Sequence, residues 1–437
     1  MKSTKKQIQT KLIKLMHLLL ISALFIIPTE IFSQQSDLGK KITEKAIAIY
    51  DEMVQIRRDI HTHPELSGSE VRTAQIVAEK LSEYGLEVKT NVGGHGIVGI
   101  LRGKQDKPVV AYRADMDAMK QNLNENVSFK SIIPGVNHVC GHDVHTAVAL
   151  GTANVLSSIK DELFGTVIFI FQPAEETIEG AKKMIADGVL DNPKPDAIFT
   201  LHVAPFEAGS MATTPGVGLP GLEKFTITVK GNIALSELTN EIIRSINSKV
   251  NTIKYPNTPQ EFQKLMEAVM TDKSILSDFI YSPAWQKDSD KGEVIIEGFL
   301  RASSEDNSKK AKEKIKNICK ELCTNGIQFS FESVNSCPPT LSNYDLGLWA
   351  SKPLEDILGK QNALRVYASF PFNSEDFGFY LQKIPGHMFW LGGSNSQKNI
   401  LALPHAPMFS VDEQAILTGI KGMSNVLVQY LENNQNN

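Results

Sequence analysis

Cysteine is too sparse here to organise the fold: 437 residues contain four, at Cys140, Cys319, Cys323 and Cys337. That is no disulfide framework, although the last three leave room for one bridge in an oxidising compartment. An excess of positive charge is also lacking. Lys and Arg number 45 against 49 Asp and Glu, for a net charge of −4, which argues against nucleic acid as a partner. Long apolar runs are missing as well. The one candidate, Leu15 to Ile27, falls short of the roughly 20 residues a membrane span needs. There is no internal repeat, and low complexity is confined to the tail "ENNQNN". With 42% hydrophobic and 22% charged residues, the composition is that of a folded globular protein, and the length calls for two domains.

The short apolar run has a purpose of its own. Five lysines precede or border it and polar residues follow, the layout of a secretory signal peptide with cleavage after Ser33. Residues 1–33 are therefore expected to be removed, sending the protein to the periplasm or outside the cell with no membrane attachment. Losing five Lys and one Glu leaves the remainder at −8.

Beyond that point, helix and strand patterns alternate. Ile49, Met53, Ile56 and Ile60 are spaced for one face of a helix over about 41–60. Ser67 and Glu70 have the spacing of a capping box for a second helix, which buries Ala74, Val77, Ala78 and Leu81 and stops at Gly85. Four strands follow in "GIVGILRG", "PVVAYRAD", "GTVIFIFQ" and "DAIFTLHV", with helices in "HTAVALGTANVLSSI" and "EGAKKMIADGVL". Continuous apolar strands alternating with helices predict an α/β domain whose mixed sheet is largely parallel and flanked by helices. From residue 223 the texture changes to strand–helix–helix–strand–helix–strand, an inserted α+β domain over 223–340. The first domain is thus discontinuous, 38–222 and 341–432.

The chemistry concentrates in "NHVCGHDVHTA", where three histidines, one cysteine and one aspartate fall within His138–His145, although the chain has only ten histidines. Asp115 and Asp117 follow one apolar strand, Glu175 and Glu176 follow another, and His202 closes "AIFTL". Ligand sites in open α/β sheets lie at such strand ends. Taken singly, each has a plain structural reading: a packed thiol, a capping histidine, or acids at a helix start. Together they offer imidazole, thiolate and carboxylate, which bind metal, and a carboxylate able to take a proton from water. Cys140 as a nucleophile with His142 or His145 as base is the competing scheme. It leaves Glu176, His202 and His405 without a part.

The motifs "RRDIHTHPELSGSE", "YRADMDAM", "HVCGHDVHTA", "FQPAEE", "GLEKFTITVKG", "NSEDFGFYL", "PGHMFWLGG" and "LPHAPMF" occur in the order found in a known family. The chain resembles the dinuclear-metal peptidases and amidohydrolases that include hippurate hydrolase, bacterial aminoacylases and plant auxin-conjugate hydrolases. The resemblance implies a zinc-peptidase-like catalytic domain and a ferredoxin-like lid or dimerisation insert. It implies two divalent ions, Zn or Mn, held by Cys140, His142, Glu176, His202 and His405, with Glu175 as general base. Asp115 and Asp117 would orient ligands, Asp143 and His145 would cap and orient their helix, and His138 would be peripheral. The substrate would be an N-acyl amino acid or short peptide; a homodimer is left open.

One part of the pattern is missing. Where the family carries a Gly-rich "G-x-G-G-H" segment, Gly231 is followed by "NIALSELTNEI", and no histidine occurs between His202 and His387. The family's histidine there stabilises the oxyanion, usually in the partner's site, and losing one such donor can cost about a hundred- to a thousand-fold in turnover. Its role would fall to the metals, Arg301, Asn232 or backbone N–H groups. Two functions follow from different classes: a metal-dependent amidohydrolase, or a metal-binding relative without turnover that serves as a scaffold.

Overall fold

The computed structural model describes residues 36–435, apart from 217, 232–234, 257, 272–274 and 291. The expected signal peptide and Asn232 lie outside these residues. Two long apolar runs form the centre of an eight-stranded sheet, and both are buried along their whole length: β3 (Val109–Asp115) and β4 (Thr166–Gln172). In chain order the elements are α1 (Asp37–Thr62), α2 (Val71–Glu83), β1 (Glu87–Val92), β2 (Gly96–Arg102), β3, α3 (His142–Ser158), β4, α4 (Gly180–Ala186), β5 (Ala197–Glu207) and β6 (Met211–Thr213). After an insert come α8 (Tyr344–Leu358), β12 (Ala363–Arg365), β13 (Gly386–Ser394) and α9 (Gln414–Asn433). The strand order is β1-β2-β4-β3-β5-β13-β6-β12. The pairs β4/β3, β3/β5, β5/β13 and β6/β12 are parallel; β1/β2, β2/β4 and β13/β6 are antiparallel. A mixed sheet flanked by helices is what the sequence predicted.

Alternate side chains of each strand feed two cores. Val110, Tyr112, Phe169 and Phe171 point to the face covered by α1, α2, α3 and α9. Ala111, Ile168 and Ile170 point to the other. Among the described residues no helix is long and apolar enough to cross a membrane.

The insert consists of β7 (Leu222–Lys230), α5 (Ser236–Lys249), α6 (Pro259–Val269), β8 (Ile280–Tyr281), β9 (Ala284–Asp290), β10 (Glu293–Ala302), α7 (Glu305–Leu322) and β11 (Gln328–Cys337). Its sheet runs β8-β10-β7-β11, with β9 also on β10, and every pairing is antiparallel. The strands β8 and β9 were not legible in the sequence. Helix α6 begins with the true capping box of this region: Thr258 Oγ1 accepts from Glu261 N, and Glu261 Oε2 accepts from Thr258 N, both at 3.2 Å. Its Leu265, Met266 and Val269 pack on the second core of the large sheet rather than on the insert. Leu38–Asn437, insert included, forms one compact unit.

Candidate metal centre

Sharp local turns aim the site residues. Gly141, at φ +95°, is the N-cap of α3 and places Cys140 and His142 on either side of a left-handed corner. A Cβ there would sit 3.2 Å from Val203, so both the turn and the close approach call for glycine. Ala174, at φ +55°, turns the chain just past β4 so that Glu175 and Glu176 both reach inward. His405 also has positive φ, +63°, and its N–H donates to Val139 O at 2.7 Å. His202 stands inside β5, not at its end as expected. The strand runs on to Glu207, but its pairing with β3 stops at Thr200, so from Leu201 onward its flank is open to the site.

The five residues proposed from the resemblance converge. Cys140 Sγ lies 3.3 Å from His202 Nε2 and 3.2 Å from His405 Nε2. Glu176 Oε1 is 3.4 Å from His405 Nε2 and 4.0 Å from His142 Nε2. Donor atoms of Cys140, His142 and His202 lie within 4.8 Å of one another, and so do those of Cys140, Glu176 and His405. The two sets share the thiol. Two ligands of one tetrahedral zinc sit about 3.6 Å apart, so the sulfur–nitrogen distances suit a metal. Among the described residues, buried His142 Nε2 and Glu176 Oε1 have no hydrogen-bond partner. His142 Nδ1 faces Asp117 O at 2.8 Å and His202 Nδ1 faces Val203 O at 2.8 Å; protons held there leave both Nε2 atoms free to coordinate. These residues fit a metal pair.

Electrostatics says what Cys140 needs beside it. Burial pushes its thiol well above the usual range, and Glu176, Glu175 and Asp115 push the same way. A thiolate, whether nucleophile or metal ligand, forms in such surroundings only where a cation offsets them. Burial works against charge on His142, but Asp115, Asp117 and Glu176 raise it to about 10, so the cage calls for positive charge at Nε2. The adjacent glutamates are driven apart. Burial, Glu375, Glu176 and Asp376 push Glu175 well above the carboxylate range; burial also raises Glu176, but His405 and His142 prevail and hold it below. One carboxylate stays charged and its neighbour holds a proton readily, which is how acid–base and charge-carrying roles are divided between paired acids.

Several expectations need correction. His145 does not cap α3: its Nδ1 pairs with Asp115 Oδ1 at 2.6 Å and its Nε2 accepts from Val203 N at 2.9 Å, so neither nitrogen is available to a metal. Nor does Asp143 cap it; its Oδ2 receives Arg57 Nε at 2.7 Å and lies 2.8 Å from His61 Nδ1, pinning α3 to α1. His138, expected to be peripheral, belongs to none of the ligand groups among the described residues; it is buried beside the His61 ring, and burial lowers its pKa to about 3. No side chain caps α2, and Ser67 and Glu70 bond elsewhere. All four cysteines are free thiols.

Glu375, Asp376 and Arg113, which lie in "NSEDFGFYL" and "YRADMDAM", join the site without having been expected there. Arg113 is a buried hub that donates to Asp115 Oδ2 at 2.6 Å and Asp376 Oδ1 at 2.8 Å and lies 3.0 Å from Glu375 Oε1. Glu175, Glu375 and Asp376 present carboxylate oxygens within 4.8 Å of one another. An acidic pair before an aromatic–glycine turn was the signal available. From the insert, Arg301 Nε reaches the same loop, donating to Ser374 Oγ at 2.9 Å. No carboxylate among the described residues pairs with Arg301, and burial lowers its pKa to about 10.

Thiol, imidazoles and carboxylates gathered around a shared sulfur beyond the central strands of an α/β sheet make the donor set of a metal centre. The sequence profile of Peptidase family M20/M25/M40 matches residues 111–429, and the chain belongs to that family. It is 34% identical over 393 residues to the IAA-amino acid hydrolase ILR1-like 5 of Arabidopsis thaliana, covering 87% of each chain. It is 30% identical over 395 residues to the N-acetylcysteine deacetylase of Bacillus subtilis, covering 88% of this chain and 98% of that one. The crystal structure of the Bacillus subtilis YXEP protein, a dinuclear metal binding peptidase from the M20 family, superposes with a TM-score of 0.70 at 28% identity. That match covers 88% of this chain and 99% of the other. This chain is accordingly a hydrolase of amide bonds.

Proposed function

We propose that the protein releases an amino acid from N-acyl amino acids or short peptides, using two divalent ions, zinc or manganese, held by Cys140, His142, Glu176, His202 and His405. The observation carrying this reading is the pair of ligand sets that share Cys140 Sγ, in which His142 Nε2 and Glu176 Oε1 have no hydrogen-bond partner among the described residues. Bound metal would polarise the amide carbonyl and lower the pKa of water. Glu175 takes the water proton and delivers it to the leaving amine, a task suited to a buried carboxylate whose neighbours raise its proton affinity. Arg113 keeps Asp115, Glu375 and Asp376 in place around it. Arg301 offers a guanidinium without a carboxylate partner, which suits the free carboxylate of an amino-acid product.

Residues 223–340 act as a lid over a catalytic domain made of 38–222 and 341–432, and residues 1–33 direct export to the periplasm or medium. The decisive experiment pairs elemental analysis of the purified mature protein with a panel of N-acyl amino acids and dipeptides. Two metals per chain and turnover lost on chelation are expected. Less than one metal in a folded sample rules out the centre. Two metals with no turnover on any compound favours the scaffold role.

A further inference from the structure

Ser67 and Glu70, which the sequence pattern assigns to a helix cap, are both bonded to the loops that carry the metal-centre residues. Glu70 is fully buried, and its Oε1 accepts the N–H groups of Gly68 and Ala174, each at 2.8 Å; its Oε2 has no partner among the described residues. Ala174 immediately precedes Glu175 and adopts φ +55°, where an L side chain is strained. Two successive residues of an extended strand point to opposite faces, so this turn is what lets Glu175 and Glu176 address one site. The carbonyl of Ala174 is held by Gly180 N at 3.0 Å, and its amide by Glu70. At the other end of the pair, Ser67 Oγ donates to Asp117 Oδ2 at 2.6 Å, and that same oxygen accepts Glu176 N at 3.0 Å. One loop therefore grips both ends of the glutamate pair.

We propose that Glu70 is a positioning residue for amide hydrolysis: by accepting the Ala174 N–H it fixes the left-handed turn that aims Glu175, while Ser67 fixes the Glu176 end through Asp117. This rests on the reading of Glu175 as the base. The Glu70 side chain bonds to the backbone of Gly68 and Ala174, so it acts through the turn and not at the metal cage itself. Both of its accepted bonds land on a single oxygen, which an amide supplies equally well, so the role requires an acceptor and not a charge.

The test is steady-state kinetics and metal analysis on Glu70→Gln, Glu70→Ala, Ala174→Gly and the double variant Glu70→Ala/Ala174→Gly, with Glu175→Ala beside them. Displacing a catalytic group by about 1 Å can cost about a hundred-fold. Glu70→Ala should therefore lose roughly ten- to a hundred-fold in kcat, with KM and metal content near wild type. Glu70→Gln should stay within about threefold of wild type, because its Oε1 keeps both bonds. Glycine adopts positive φ without strain, so the double variant should recover much of the loss, and Ala174→Gly alone should change little. If Glu70→Ala does not fold, Glu70→Gln still decides. A Glu70→Gln enzyme more than ten-fold impaired would assign the role to charge and overturn the proposal. So would a fully active Glu70→Ala, or a double variant no faster than Glu70→Ala. Should Glu175→Ala turn over like wild type, the base assignment fails and the positioning role with it. An inactive Glu175→Ala beside a fully active Glu70→Ala removes the positioning role alone.

Discussion

The large sheet and the insert differ in where the partners of their side chains lie. In the sheet, apolar strands such as Val109–Asp115 and Thr166–Gln172 are buried on both faces, and the groups at their ends gather around Cys140. In the insert, strands alternate: β10 reads buried and half-buried by turns, and among the described residues only one face of its sheet carries a core. Helix α6 leaves the insert's own core and packs on Val366, Ala368 and neighbouring residues of the large module, where Val269 O accepts from Tyr367 N at 2.8 Å. The sheet is a self-contained frame for chemistry. The insert is fastened to that frame, and the fastening lies beside the loop that ends in Glu375 and Asp376.

If the chemistry resides in the sheet module, the largest effects must come from there. Glu175→Ala should lower kcat by about a hundred- to ten-thousand-fold, the worth of a general base, with metal content near wild type. Glu176→Ala should lower both, since its buried Oε1 faces the cage with no hydrogen-bond partner among the described residues. Elemental analysis and turnover on one preparation check this; equal metal loss in the two variants would mean that the roles are misassigned.

The same division explains what could be read in advance. Strand and helix patterns in the sheet module were legible because burial there follows from local periodicity. Cys140, His142, Glu175, Glu176, His202 and His405 could be singled out in advance because the motifs that carry them resemble a known family. Ser67 and Glu70 were misread because a capping box and a pair of site-facing side chains have the same spacing; only the position of Ala174 N and Asp117 Oδ2 distinguishes them. The destination of α6 could not be read either, because an amphipathic helix does not name its partner. Arg113 stayed hidden for a similar reason, since its carboxylate partners Glu375 and Asp376 lie more than 260 residues away.

The fastening itself can be loosened. Val269 is fully buried in the second core, and Val269→Ala removes two methyl groups. At about 0.8 kcal/mol per buried methylene equivalent, the expected loss is roughly 1.6 kcal/mol. A denaturant titration reads that loss, and metal content should not change. A loss below about 0.5 kcal/mol would mean that α6 rests on the large module without being held by it.

The smallest expected effect is none at all, and it separates this insert from the family pattern most sharply. A partner subunit that lends a catalytic histidine makes turnover depend on dimerisation. No histidine occurs from residue 203 to residue 386, so this insert has none to lend. The charged group it does bring to the acid loop arrives within one chain, where Arg301 Nε meets Ser374 Oγ at 2.9 Å. Turnover per chain should therefore stay constant across a dilution series in which mass measurements follow the oligomer. Over the same series Arg301→Ala should raise KM about ten-fold or more, the scale of losing a hydrogen bond to a charged group. Turnover that falls as the protein dilutes to monomer would show that the partner supplies a group other than histidine, and the contrast between frame and insert would then have to be redrawn across two chains.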